Sequence, residues 1–175
     1  MKRFPFPDKS SCLEELQRDL HYKKIPPCDY EEIISAAWRR GEDAAYKYFY
    51  NTQQTIYDLI KKVGIVIIRE NQDRVIGSTR YFAEFFEKAK KIILYTKSID
   101  LWCEYHHLSY IEGEEMILTH EFFHYLECNE LSSISDIYEV PTFKIGKLLI
   151  STSALRSTSE IGAHSFTHTY YKLIK

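Results

Sequence analysis

The pattern of apolar and polar positions predicts a helical first third of the chain. A short helix is predicted between Ser11 and Tyr22, and Asp29 has the character of an N-cap for a second helix. Gly41 marks either a break in that second helix or a tolerated interruption, after which the helical pattern continues to about Lys62. Residues 1–62 are therefore expected to form the helical N-terminal part of the molecule.

The middle of the chain carries short runs that are typical of strands. The β-branched run Val63–Ile68 predicts one strand, and Lys91–Tyr95 predicts another. The stretch Arg74–Phe86 is expected to contain a strand between them, although Tyr81–Lys91 also has a helical alternative. Further along, Pro141–Ser153 is interpreted as a hairpin or a loop.

A helix from about Gly113 to Cys128 has apolar residues on nearly all sides, which is typical of a buried helix. It contains the motif His120-Glu121-Phe122-Phe123-His124. Two histidines four positions apart lie on one helix face and can bind one metal ion. Glu121 can then take a proton from a metal-bound water as a general base. The competing interpretation is a pair of core histidines satisfied by hydrogen bonds.

A catalytic zinc site needs three protein ligands and one open position. A third histidine six positions after the motif is excluded, because Glu130 stands there and Glu127 replaces the preceding glycine. The favoured third ligand is Glu160, on a helix that Ser157, Thr158 or Ser159 could cap. His164 lies four positions after Glu160 and could support a ligating histidine.

Other side chains compete for these roles. His164 is the strongest rival of Glu160 as a ligand, with His168 one turn further along. His106 and His107 are adjacent, so at most one could easily share a site, and both are interpreted as surface or loop residues. Glu127 is expected to pair with a cation or to cap the site rather than to bind metal.

With these residues the chain resembles the gluzincins, the thermolysin-like class of zinc peptidases. His120, Glu121 and His124 match the motif helix of that class, and Glu160 matches its glutamate helix. The residue four after the ligand glutamate is often aspartate in the class and is His164 here. The resemblance covers about residues 113–175 and implies a minimal, single-domain zincin-like fold that binds one zinc ion per chain.

The resemblance also implies a substrate-binding edge strand beside the motif helix, with Lys91–Tyr95 and Arg80–Phe86 as the two candidates. A donor that stabilises the oxyanion is expected as well. The side chains near the predicted helices that could supply it are Tyr138, Arg156, His168, Tyr170 and Tyr171, and the sequence does not select one of them.

Composition and charge restrict the possible classes of protein but do not select one function. A chain of 175 residues can bury a genuine core, and a net charge of -2 gives no electrostatic argument for binding nucleic acid. No membrane span and no secretory signal are predicted, so a cytoplasmic location is expected. Four widely spread cysteines are expected to be free thiols: Cys12, Cys28, Cys103 and Cys128.

The predicted fold class is α+β, with N-terminal helices, a small mostly antiparallel sheet, and the motif and glutamate helices in residues 63–175. We expect one domain over residues 1–175. The leading functional hypothesis is a zinc-dependent metallopeptidase that acts on peptides or proteins, with His120, His124 and Glu160 as ligands and Glu121 as base. The alternative is a metal-binding regulatory or interaction module without peptidase activity, and a metal-free helical scaffold ranks last.

Overall fold

The computed structural model describes residues 4–50, 54–131, 137–145 and 148–174. These residues belong to two compact units, one within Met1–Tyr50 and Glu127–Lys175 and the other within Asn51–Leu126. Helices and small sheets occur together, which confirms the predicted α+β class. A single domain over residues 1–175 stays a prediction.

The described residues form six α-helices and seven strands in chain order. The helices are α1 (Cys12–Gln17), α2 (Tyr30–Phe49), α3 (Ile56–Lys62), α4 (Thr96–His106), α5 (Tyr110–Asn129) and α6 (Ser157–Ile174). The strands are β1 (Val66–Glu70), β2 (Arg74–Ile76), β3 (Thr79–Tyr81), β4 (Ala83–Phe86), β5 (Lys91–Tyr95), β6 (Glu139–Ile145) and β7 (Leu148–Ala154).

The first unit is built on the close packing of α2 against α6. Helix α2 runs without a break through Gly41, so the glycine is a tolerated interruption rather than a helix end. A Cβ atom at Gly41 would overlap the carbonyl oxygen of Gly162 and lie 2.9 Å from the backbone nitrogen of Phe166. The missing side chain therefore allows the two backbones to approach. Further along, Phe49 meets Tyr170 edge to face with ring centroids 4.5 Å apart.

Apolar side chains from the N-terminal helices and from the hairpin share a core with α6. The predicted stretch Pro141–Ser153 forms an antiparallel hairpin of β6 and β7, with residues 146 and 147 outside the described part. The core is formed by Cys12, Leu16, Ile25, Ile33, Ile34, Ala37, Val140, Leu155 and Ile161. Their burial removes apolar surface from water, which is the main driving force for packing these elements together.

The second unit contains a three-stranded sheet in the order β1-β5-β4. Strands β1 and β5 are parallel, whereas β4 and β5 are antiparallel. The predicted strand Lys91–Tyr95 is therefore correct in its bounds and is β5. It is the central strand of this sheet, because it has hydrogen-bonded partners on both sides. Of the two candidates for a substrate-binding edge, Lys91–Tyr95 is excluded for this reason. Only the β4 part of Arg80–Phe86 is an edge of this sheet.

Two helix predictions need correction. The helical pattern from Asp29 to about Lys62 was expected to break, if anywhere, at Gly41. Instead, α2 continues to Phe49 and α3 begins at Ile56, with residues 51–53 outside the described part. Thr55 starts α3 with a capping box that includes Asp58. Helix α4 follows β5 directly and was not predicted. It ends at His106, and the left-handed backbone of the next residue, His107 (φ 55°), terminates the helix.

A buried carboxylate anchors α5 to the rest of the second unit. Glu114 is 4% exposed, and it accepts hydrogen bonds from Arg69 Nε at 3.0 Å and from the Tyr57 hydroxyl at 3.1 Å. Burial by itself would raise the pKa of Glu114, but the hydrogen bonds and charge of Arg69 outweigh burial and lower that pKa. The helix that carries the motif is thus fixed to β1 and α3 by a charged hydrogen-bond network.

No helix in the described ranges combines the length and apolar character needed to cross a membrane. All four cysteines are free thiols, as predicted. Cys12 and Cys103 are buried, and burial raises the pKa of Cys12 to about 12. Its thiol is therefore protonated at neutral pH and packs as a small apolar side chain.

We predict that Gly41→Ala destabilises the protein. The added methyl group meets the Gly162 backbone, which cannot move away as a flexible side chain could. Overpacking of this kind costs about 1–3 kcal/mol, which exceeds the gain of up to about 1 kcal/mol in helix propensity. Urea unfolding measures the difference, with Asp43→Ala at an exposed site of α2 as the control. A variant as stable as the wild type would contradict the close packing.

We also predict that Arg69→Met lowers stability at pH 7 by about 1–2 kcal/mol, because it leaves the buried Glu114 carboxylate without its cation. The lowered pKa of Glu114 means that the pair stabilises the wild type above the ordinary carboxyl pKa. That stability is lost as the pH falls through the lowered pKa, so the difference between the two proteins should shrink in acid.

Unfolding curves between pH 7 and pH 3 measure the effect. Arg80→Met removes a more exposed pair with Asp73 and should have a smaller effect at every pH. A gap between wild type and Arg69→Met that stays constant or widens in acid would contradict the role of Glu114.

Candidate metal centre

Helix α5 begins with a capping box that sequence reasoning missed. The Ser109 backbone N–H donates to Glu112 Oε2 at 3.0 Å, and the Glu112 N–H donates to Ser109 Oγ at 3.3 Å. The spacing Ser-x-x-Glu before an apolar run is a recognised start signal for a helix. It places the first helical residue at Tyr110, three positions before the predicted Gly113.

The helix is largely surrounded by protein, as its apolar pattern predicts. Its buried side chains include Met116, Ile117, Leu118, Phe122, Phe123 and Leu126. His120, Glu121 and His124 are only partly buried. The polar side chains of the motif are therefore not all sealed in the core, which suits a site that a metal ion and water must reach.

The Nε2 atoms of the two motif histidines face each other. These atoms are 3.3 Å apart, and the ring centroids are separated by 5.0 Å. Two nitrogen ligands at about 2.0–2.1 Å from a tetrahedral zinc ion lie roughly 3.3–3.4 Å from one another. The observed separation is that of two ligands of one ion. It also suits an N–H···N hydrogen bond in metal-free protein, where one ring donates and the other accepts.

Glu160 lies in the first turn of α6, where the predicted glutamate helix begins. The predicted caps are themselves helical, since α6 starts at Ser157. Instead, Asp19 supplies the cap, because its Oδ2 accepts the Ser157 backbone N–H at 3.0 Å. A carboxylate from the N-terminal segment thus fixes the start of the helix that presents Glu160.

His120, His124 and Glu160 form a group that could hold a metal ion. Each residue offers one ligand atom, and these atoms all lie within 4.8 Å of one another. Two imidazoles and one carboxylate are a donor set that zinc accepts in catalytic sites, and three protein ligands leave one position open. The described residues therefore fit a divalent metal ion.

The rival histidines of α6 have other surroundings. His164 is not a member of the metal-ligand group, and its ring lies 5.6 Å from that of Phe6. The His168 ring donates from Nε2 to the Pro7 carbonyl oxygen at 3.0 Å, and its centroid lies 4.2 Å from that of Phe4. Burial lowers the pKa of His168, which the backbone hydrogen bonds oppose only in part. His168 thus holds the N-terminal segment in place through Pro7 and Phe4, and it is unsuited to stabilise an oxyanion.

Glu127 pairs with a cation, as predicted. Its Oε1 lies 3.5 Å from Arg40 Nη1, and both side chains are about nine-tenths buried. Glu127 also accepts a hydrogen bond from the Ser159 hydroxyl, next to Glu160 in the chain. Arg40 on α2 was not singled out from the sequence. The last turn of α5, the first turn of α6 and the middle of α2 therefore meet in one polar cluster of the first unit.

The remaining candidates for stabilising an oxyanion or binding the metal differ in their surroundings. Tyr138 donates to Asp29, and that hydrogen bond raises the pKa of Tyr138 to about 12. Tyr170 and Tyr171 are buried, whereas Arg156 is exposed. His106 and His107 belong to the end of α4 and are not in the metal-ligand group.

Searches with profiles of known protein families, among curated proteins and among solved structures found no match to this chain. The gluzincin resemblance therefore rests on the motif residues and stays a prediction.

We predict that removing one ligand strongly weakens metal binding. Calorimetric titration of zinc into the metal-free wild type should give one site per chain. Glu160→Gln and His124→Ala should each lower the affinity by more than about 100-fold, the upper range seen when only a supporting residue is lost. Glu104→Gln, an exposed carboxylate on α4, is the matched control and should bind like the wild type. Unchanged affinity in Glu160→Gln would remove Glu160 from the ligand set.

Proposed function

We propose that the protein is a zinc-dependent metallopeptidase with one zinc ion per chain. His120, His124 and Glu160 hold the ion, and Glu121 is the general base. The observation that carries the proposal is the 3.3 Å separation of the two imidazole Nε2 atoms on a helix whose intervening motif residue is a glutamate. The grouping of Glu160 with these histidines supplies the third donor.

His120, His124 and Glu160 would hold the zinc ion, which would supply Lewis acidity toward a peptide carbonyl and a bound water. Glu121 follows His120 directly, so its side chain projects about 100° around the helix from that ligand. It takes the proton from the attacking water and passes it to the departing amine. These two transfers divide one water molecule between a carboxylic acid and an amine, and a further proton transfer from acid to amine leaves a carboxylate and an ammonium group at neutral pH. No covalent intermediate forms on the protein.

An extended substrate has a place to bind at the edge of the three-stranded sheet. Strand β4 pairs with β5 on one side only. Phe85 of β4 meets Tyr125 of α5 edge to face, with ring centroids 6.2 Å apart, and Tyr125 is the residue after His124. A peptide added along β4 by main-chain hydrogen bonds would therefore run beside the motif helix. The substrate class is an extended peptide or an unfolded protein segment.

We place the protein in the cytoplasm. Its four cysteines are all free thiols, and two of them are exposed. Exposed thiols persist in the reducing cytosol and tend to oxidise outside the cell. A net charge of -2 supplies no attraction to nucleic acid, so peptides and proteins remain the expected partners.

We predict that Glu121→Gln abolishes hydrolysis and leaves metal binding intact, because the amide keeps the shape of the carboxylate but accepts no proton. Loss of the general base should lower kcat/KM by about 10²–10⁴-fold. The assay incubates zinc-loaded protein with unfolded casein and short fluorogenic peptides, with and without a chelator. Glu104→Gln serves as the control variant.

Zinc bound by the wild type without turnover of any substrate would contradict the peptidase and favour a metal-binding interaction module. Equal turnover by wild type and Glu121→Gln would remove Glu121 from the mechanism.

A further inference from the structure

A cavity of about 290 Å³ opens in the first unit next to Glu160. Strand β7 and the N-terminal segment around α1 form its walls. Its lining includes Ser153 and Ala154 at the end of β7, Arg156, and the segment from Glu15 to His21. Pockets that enclose a whole drug-sized ligand are roughly 300–1,000 Å³. The volume here suits one side chain or one chain end of a substrate whose backbone continues outside.

Three charged side chains of the cavity lining, Glu15, Arg18 and Asp19, already have hydrogen-bond or ion-pair partners. Arg18 Nη1 pairs with Glu15 Oε2 at 2.8 Å. Asp19 accepts the backbone N–H groups of His21 at 2.9 Å and Ser157 at 3.0 Å. These groups hold the walls of the cavity together.

Arg156 is different from its neighbours in the cavity. Among the described residues, no carboxylate lies within ion-pair distance of its guanidinium, although Glu160 lies four positions further along the chain. A guanidinium presents a planar set of N–H donors that matches a carboxylate in a bidentate pair. Arg156 is thus the cavity group best suited to recognise an anion.

Metal binding favours an anion in this cavity. The two arginines and the carboxylates of Glu15, Asp19 and Glu160 give the lining a formal charge of -1 when His21 is neutral. A divalent ion held by Glu160 and neutral imidazoles changes the local charge to +1. Attraction of an anionic group should therefore be stronger in metal-loaded than in metal-free protein.

We propose that this cavity is a substrate subsite for a carboxylate group, recognised by Arg156. The proposal rests on the proposed function, because it takes the cavity beside Glu160 as part of a peptide-binding site. Two parts of a peptide can supply this carboxylate: an acidic side chain within the peptide, and the carboxylate at its C-terminal end.

Binding measured without turnover tests the subsite. Zinc-loaded Glu121→Gln protein is titrated with three alanine-based hexapeptides that are acetylated at the N-terminus. The first carries one glutamate and an amidated end, the second carries glutamine and an amidated end, and the third carries glutamine and a free carboxylate. We expect the first or the third to bind roughly tenfold more tightly than the second, the size of one charge-assisted pair.

Adding Arg156→Gln to this protein should remove the preference, whereas Arg39→Gln, an exposed arginine on α2, should keep it. Omitting zinc should reduce the preference. Equal affinity for all three peptides, or a preference that survives Arg156→Gln, would overturn the subsite. Absence of hydrolysis by the wild type would overturn the peptidase alone, because the binding preference does not depend on turnover.

Discussion

Two imidazole nitrogens 3.3 Å apart on a largely buried helix impose the central constraint on this molecule. Polar groups in such surroundings are costly unless they have partners, and two neutral rings can satisfy one another only as donor and acceptor. A shared cation satisfies both lone pairs at once. The Arg69–Glu114 network meets the same constraint about one and a half turns earlier on α5, where a buried carboxylate is stabilised by a cation and by the Tyr57 hydroxyl.

The third donor depends on a different set of contacts. Glu160 sits at the start of α6, whose position is determined by Asp19 at its first N–H and by the backbone contact between Gly41 and Gly162. The ion pair of Arg40 with Glu127, joined by Ser159, adds a polar contact beside the same turn. A candidate ligand such as Glu160 can serve only when its own position is restrained, and these residues supply that restraint.

Local signals in the sequence predicted much of the fold and the three residues that the structure groups as candidate metal ligands. The motif spacing identified His120 and His124, because a helix places residues four apart on one face. The apolar run Lys91–Tyr95 identified β5 with its bounds. The run Val63–Ile68 identified β1 only in part, because Val63 is the C-cap of α3 and the strand begins at Val66. The central position of β5 was not predictable, since strand pairing depends on contacts distant in the sequence. Helix α4 was missed although Ile99, Trp102 and Cys103 have helical spacing, and the start of α5 was misplaced although Ser109 and Glu112 signalled it.

The supporting residues were harder to predict than the ligands. Nothing in the neighbourhood of Arg40 or Asp19 indicates that each reaches a residue far along the chain. Long-range ion pairs and caps follow from tertiary packing and have no fixed spacing. The prediction that Glu127 pairs with a cation was correct, because a carboxylate on a partly buried helix face requires such a partner. The identity of that partner, Arg40, came only from the structure.

The most direct test is a crystal structure of protein grown with zinc, with diffraction recorded on both sides of the zinc absorption edge. We predict one strong anomalous peak per chain, within about 2.0–2.2 Å of His120 Nε2, His124 Nε2 and a carboxylate oxygen of Glu160. A peak bound by other residues, or no peak in zinc-saturated crystals, would contradict the account.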